Sequence, residues 1–210
     1  MRWLYLHGFA SGSSSKKAAF FQDRFAAVGL TLEIPDLTAG DFEHLTLSGQ
    51  LRVIESELKG EAACLVGSSM GGYLAALYAA RHPEIECVVL LAPAFGFARR
   101  WPLRLGEDVT RQWRETGWMT LFHYGRNQEA RIHYGLLEDG LRYEDYPAVA
   151  QPALVFHGTR DDVVPSEFSA EFRRRNPRAE VHFLDSGHEL TDCLDGMWTR
   201  MEAFLGLSHR

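Results

Sequence analysis

The chain has 210 residues, 46% of them apolar and 24% charged, and its 22 basic against 28 acidic side chains leave a net charge of −6. A chain of this length suits one buried core rather than two, and its acidic balance offers no global attraction for nucleic acid. It also lacks the run of about 18 apolar residues that a membrane span requires. The expectation is a single cytoplasmic domain, 1–210, without a nucleic-acid partner and with its oligomeric state left open.

The opening Met1-Arg2-Trp3-Leu4-Tyr5-Leu6-His7 is too short an apolar run for a signal peptide and reads as a first strand over 2–7. Ser13-Ser14-Ser15 then caps a helix over about 16–28; without a GK[ST] sequence the serines are not a phosphate loop. A strand over 31–34 precedes a second helix from Thr46 to Leu58, where Leu47, Leu51, Ile54 and Leu58 recur at helical spacing. Strands over 62–67 and 87–91 flank a helix over 70–81. Strands over 153–157 and 180–184 alternate with helices over 166–175 and 190–204, and Arg173-Arg174-Arg175 lies on a solvated helix face. Several of these strands lack polar alternation, as expected where both faces are covered. The pattern is α/β: a mostly parallel sheet of about six strands with helices on both faces. Residues 95–150 break the alternation and hold Trp101, Trp113, Trp118, Phe122, Tyr124, Tyr134, Tyr143 and Tyr146, which suggests a small helical cap whose aromatics pack inward or line an apolar pocket. Cys64, Cys87 and Cys193 are odd in number, lack CxxC spacing and read as reduced core residues.

The strongest chemical signal is Gly67-Ser68-Ser69-Met70-Gly71-Gly72, a G-x-S-x-G sequence directly after an apolar strand and before a helix. The nucleophile of such a turn sits on strained backbone, and side chains two residues to either side would strike neighbouring main chain. That register selects Ser69, since Ser68 would be flanked by Val66 and Met70. A serine hydroxyl needs a base to take its proton and a carboxylate to fix the base's tautomer. Downstream, Asp161 and Asp162 lie in a loop after the strand 153–157, and His188 lies in a loop after 180–184. Ligand sites of open α/β sheets gather at that edge.

These loops read His157-Gly158-Thr159-Arg160-Asp161-Asp162-Val163-Val164-Pro165 and Gly187-His188, and in them the chain resembles the α/β-hydrolase superfamily over nearly its whole length. The resemblance implies Asp161 as the triad acid, with Asp162 a solvent-facing or turn-capping neighbour and His157 structural. The opening Tyr5-Leu6-His7-Gly8-Phe9-Ala10-Ser11 with Lys16-Lys17-Ala18 is similar to small bacterial esterases of the YqiA type and to hydrolases that remove acyl groups from protein cysteines. In such enzymes the oxyanion-hole N–H groups come from the loop after the first strand and from the residue after the nucleophile, here Phe9 and Met70. Against the superfamily pattern the chain begins at the strand that is usually third, as a minimal member would.

The expected activity is hydrolysis of small or acyl esters or thioesters by Ser69, His188 and Asp161 through an acyl-enzyme. No cofactor is required, and no HExxH or comparable ligand spacing calls for a metal. Fold and triad leave open a peptidase, lyase or perhydrolase, and a non-catalytic binding protein of the same fold.

Overall fold

The computed structural model describes residues 1–12 and 15–207. Five strands form one parallel sheet in the order β1 (Arg2–Leu6), β2 (Ala63–Ser68), β3 (Ile85–Leu91), β6 (Ala153–Gly158), β7 (Ala179–Leu184). Alternation along each strand divides the core in two. Trp3, Tyr5, Val66, Val89, Leu154 and Phe156 face α1 (Lys16–Ala27) and α8 (Leu194–Leu205). Leu4, Leu6, Leu65, Leu90 and Val155 face the layer that contains α2 (Leu47–Leu58), α3 (Met70–Ala79) and α7 (Glu167–Arg175). α3 is buried at every position, so its sequence has no polar face to display.

The cap expected at Ser15 is in place, and Thr46, expected as the first residue of the second helix, caps that helix instead. Ser15 Oγ accepts the Ala18 N–H at the start of α1, and Thr46 Oγ1 accepts the Gly49 N–H at the start of α2. Ser13 and Ser14, also expected to cap, lie outside the described residues.

The strand expected over 31–34 is reduced to a single bridge between Leu4 and Glu33. Glu33 N–H donates to Trp3 O and Tyr5 N–H to Glu33 O, but the next donor in that parallel ladder would be residue 35, a proline without an N–H. The helix expected from 190 begins at Leu194, because Leu190 adopts a positive φ of 54°. Cys64 and Cys87, expected to be reduced, are joined as a disulfide: they face each other in the β2–β3 register with Cα atoms 4.9 Å apart. Their separation of 23 residues gave no sign of that pairing.

Residues 95–150 contain helices α4 (Phe97–Leu105), α5 (Glu107–Thr116) and α6 (Gly135–Gly140), and also an antiparallel hairpin, β4 (Trp118–His123) with β5 (Gln128–His133). The hairpin was not expected in a helical cap. Its turn ends on Asn127 at φ 51°, a conformation asparagine tolerates, and Trp113 anchors it by donating from Nε1 to Ile132 O at 3.0 Å. Trp113 is buried between Trp101 and Tyr134, whereas Phe122 and Tyr124 are exposed.

Candidate active site

Ser69 sits between β2 and α3 with φ 54° and ψ −116°, a strained conformation for a residue with a side chain. The flanking glycines permit it. A Cβ on Gly71 would lie 2.0 Å from Leu6 O, and one on Gly67 would lie 2.3 Å from Gly71 O. Only bare backbone lets α3 start this close to the end of β1, and the turn is held further by Ser69 N–H donating to Leu91 O. Ser69 is therefore projected above the C-terminal edge of the sheet, where the loops after β6 and β7 also end.

His188 Nε2 lies 3.0 Å from Ser69 Oγ, and His188 Nδ1 lies 2.7 Å from Asp161 Oδ2. Because Nδ1 faces a carboxylate it carries the proton, leaving Nε2 to accept from the serine hydroxyl. The other oxygen of Asp161 accepts Val163 N–H at 2.9 Å and Val164 N–H at 2.8 Å. Burial, the largest influence on Asp161, pushes its carboxyl upward, but the combined hydrogen bonds and charge of His157, His188 and the Val164 amide outweigh it. The group is held well below the usual carboxylate range. Asp162, its neighbour, is exposed.

The structure thus brings Ser69, His188 and Asp161 into one hydrogen-bonded chain. It also gives His157 a place beyond the strand-end role expected of it. This histidine is fully buried, with Nε2 2.8 Å from Val164 O and 3.1 Å from Asp161 Oδ2, and Nδ1 2.6 Å from Ser169 Oγ. Nε2 faces two acceptors and so bears the proton, while Nδ1 accepts from the Ser169 hydroxyl. Its spacing of four residues from the acid was visible in the sequence; the turn that folds it back was not.

Across the site, the loop after β1 packs against the serine, and a Cβ on Gly8 would sit 3.4 Å from Ser69 Cβ. Buried His7 fixes this loop: its Nε2 accepts Leu37 N–H at 3.3 Å, so Nδ1 donates to Gly8 O at 3.0 Å. Among the described residues, neither Phe9 N–H nor Met70 N–H donates to a protein acceptor. The Phe9 ring lies between Phe42 (5.4 Å) and Trp101 (5.2 Å). The hairpin turn docks on the same loop through Gly125 N–H, which donates to Ala10 O. Lys17, which the sequence singled out only within Lys16-Lys17-Ala18 and gave no role, is a buried lysine whose Nζ lies 3.7 Å from Glu189 Oε2, next to His188. Burial pushes its ammonium downward, opposed by Glu189 and Asp161. Among the described residues, no group of three or more His, Cys, Asp or Glu is arranged to hold a metal ion, and no helix is long and apolar enough to cross a membrane.

Known relatives agree with this fold. A model of the uncharacterised protein family UPF0227 matches residues 2–206. The chain belongs to that family. It is 28% identical over 180 residues to the AB hydrolase superfamily protein YisY of Bacillus subtilis (strain 168), covering 70% of this chain and 67% of that protein. Among solved structures, it is similar to alpha/beta hydrolase domain-containing protein 10 from mouse at 19% identity and TM-score 0.81, covering 97% of this chain and 88% of the mouse chain. It is also similar to the Paleococcus ferrophilus monoacylglycerol lipase at 18% identity and TM-score 0.73, covering 98% of this chain and 94% of the lipase. The fold is that of the α/β hydrolases, with five strands in the main sheet where about six were expected.

Proposed function

We propose that this chain is a serine hydrolase that cleaves carboxylic esters or thioesters through an acyl-enzyme intermediate. The observation that carries the reading is the unbroken hydrogen-bonded chain from Ser69 Oγ through His188 to Asp161, built on a strained turn. Kinship with a protein placed in the AB hydrolase superfamily and fold likeness to a lipase support it.

In this mechanism Ser69 Oγ attacks the substrate carbonyl carbon while its proton passes to His188 Nε2. The carbonyl oxygen becomes an oxyanion received by the Phe9 and Met70 N–H groups. Donors fixed in advance stabilise charge that develops only in the transition state, and losing one typically costs about 10² to 10³ in rate. Imidazolium next to the ionised Asp161 is favoured, so the proton is held until the C–O or C–S bond breaks and His188 donates it to the departing alkoxide or thiolate. Water then enters, gives a proton to His188, attacks the acyl carbon and releases the acid with Ser69 restored. Asp161 stays ionised throughout.

The reading is tested by turnover of 4-nitrophenyl butyrate, an acyl thioester and an aminoacyl amide by the wild type and by Ser69→Ala. Ester or thioester cleavage lost in Ser69→Ala is the expected result. Cleavage of the amide alone makes the protein a peptidase, and cleavage unchanged in Ser69→Ala removes the serine mechanism.

A further inference from the structure

Arg100 and Arg104 lie one helical turn apart on α4 and both reach the loop that carries Asp161. A terminal nitrogen of Arg100 donates to Val163 O at 2.7 Å, and one of Arg104 donates to Asp162 O at 2.9 Å. Between them in sequence, Trp101 packs edge-on against Phe9 on the opposite loop. One helix therefore touches both walls of the site that holds Ser69.

What separates these two arginines from their neighbours is the lack of a counter-charge. Arg99 is paired with Asp145 and Arg160 with Asp185. Among the described residues, no carboxylate comes within ion-pair distance of Arg100 or Arg104. Arg100 is half-buried over the Phe168 ring, and its Nε is enclosed with no hydrogen-bond partner. Burying a cation without a partner is unfavourable, and two like charges a turn apart repel. Burial and then the Arg104 charge push the Arg100 guanidinium downward, while Asp161 opposes them. Each guanidinium has five donors and commits one to a backbone carbonyl, which leaves a fork of the kind that grips carboxylate or phosphate.

We propose that Arg100 and Arg104 form an anion-binding pair beside the reaction centre, and that the natural ester or thioester carries a carboxylate or phosphate. The proposal rests on the hydrolase reading and specifies its substrate class. It also gives α4 a role: the helix presents cations at one wall and an aromatic surface at the other, as an apolar chain with an anionic end requires.

The test uses two pairs of substrates matched in size and differing by one charge, 4-nitrophenyl glutarate against 4-nitrophenyl pentanoate, and 3-acetoxypropanoate against propyl acetate. Each is assayed by turnover and as a competitor of fluorophosphonate labelling. Wild type is expected to prefer the anionic member of at least one pair, chiefly through KM. In Arg100→Gln, and separately in the exposed Arg104→Gln, that preference is expected to fall about 10- to 100-fold, the weight of a charged hydrogen bond. No charge preference in either pair, with Ser69 still labelled, overturns this inference alone. Equal losses on charged and neutral members assign the arginines to holding the loop and overturn it too. A protein that neither labels nor turns over any ester loses the hydrolase reading and this inference with it.

Discussion

Replacing Asp161 by asparagine keeps the shape of the side chain and removes its charge, and the hydrogen bonds around it dictate the consequence. One carboxylate oxygen accepts two backbone N–H groups, those of Val163 and Val164, and the other accepts His188 Nδ1 and also His157 Nε2, which has Val164 O as a second acceptor. Asparagine has a single oxygen. Turning its NH₂ toward the two amides would leave both donors unpaired, at about 1–3 kcal/mol for the buried one at Val164. The oxygen therefore stays on the amides and the NH₂ faces His188. A donor there forces Nδ1 to accept, moves the ring proton to Nε2, and leaves Ser69 with no base. The expected loss in kcat/KM for 4-nitrophenyl butyrate is about 10⁴, which corresponds to about 5.4 kcal/mol of transition-state stabilisation. Circular dichroism should report an unchanged fold. Asp162→Asn, at an exposed side chain, should stay within about twofold of wild type. Equal losses for the two variants, or an Asp161→Asn protein within tenfold of wild type, would refute the tautomer argument.

Gly71→Ala should prevent the turn from closing, since its Cβ would overlap Leu6 O; a soluble variant with wild-type activity and melting temperature would contradict the packing described here. Gly125→Ala places a Cβ 3.0 Å from Ser11 C and 3.2 Å from Gly12 N, so the loop bearing Phe9 must shift. Its kcat should fall about tenfold with little change in KM, part of the cost of losing the donor proposed at Phe9, and an unchanged kcat would separate the β4–β5 hairpin from that proposed role. Stability should fall with acid well before the carboxylates titrate. Burial holds His7 and His123 below the ordinary histidine value, so the unfolded chain binds more protons there. Their contribution is complete above about pH 6.5 and is lost as pH drops through the depressed folded values. The melting temperature should therefore be lower at pH 5 than at pH 7.5, with a smaller drop in His123→Asn, whose Oδ1 is able to keep the Arg126 N–H. A midpoint that is flat or rises toward pH 5 would contradict this.

The sheet was legible because β1, β2, β3 and β6 are buried on both faces and read as short apolar runs, and the turn at Ser69 because backbone crowding admits only glycine at 67 and 71. Asp161 and His188 could be placed at the same edge because each follows a strand directly. What escaped depended on contacts between distant segments. Glu33 pairs with β1, but the proline at 35 ends the ladder after one bridge. The β4–β5 hairpin is anchored by Trp113 from the preceding helix, so its strands carry no isolated signature. Cys64 and Cys87 meet only through the β2–β3 register. His157 reaches Asp161 through a turn whose path its spacing does not reveal, and the position of α4 across the site depends on Trp101, Arg100 and Arg104 contacting loops far away in the chain. Local pattern thus located Ser69, Asp161 and His188 at one sheet edge, and tertiary packing determined what surrounds them.

Whether Ser69 is an activated nucleophile is decided most directly by intact-mass measurement after incubation with a fluorophosphonate, with peptide mapping of the product, on wild type and Ser69→Ala. One phosphonyl adduct is expected on wild type, mapped to Ser69, and none on the variant. No adduct on a folded wild-type protein, or an adduct that persists in Ser69→Ala, would contradict the assignment of Ser69 as the activated nucleophile.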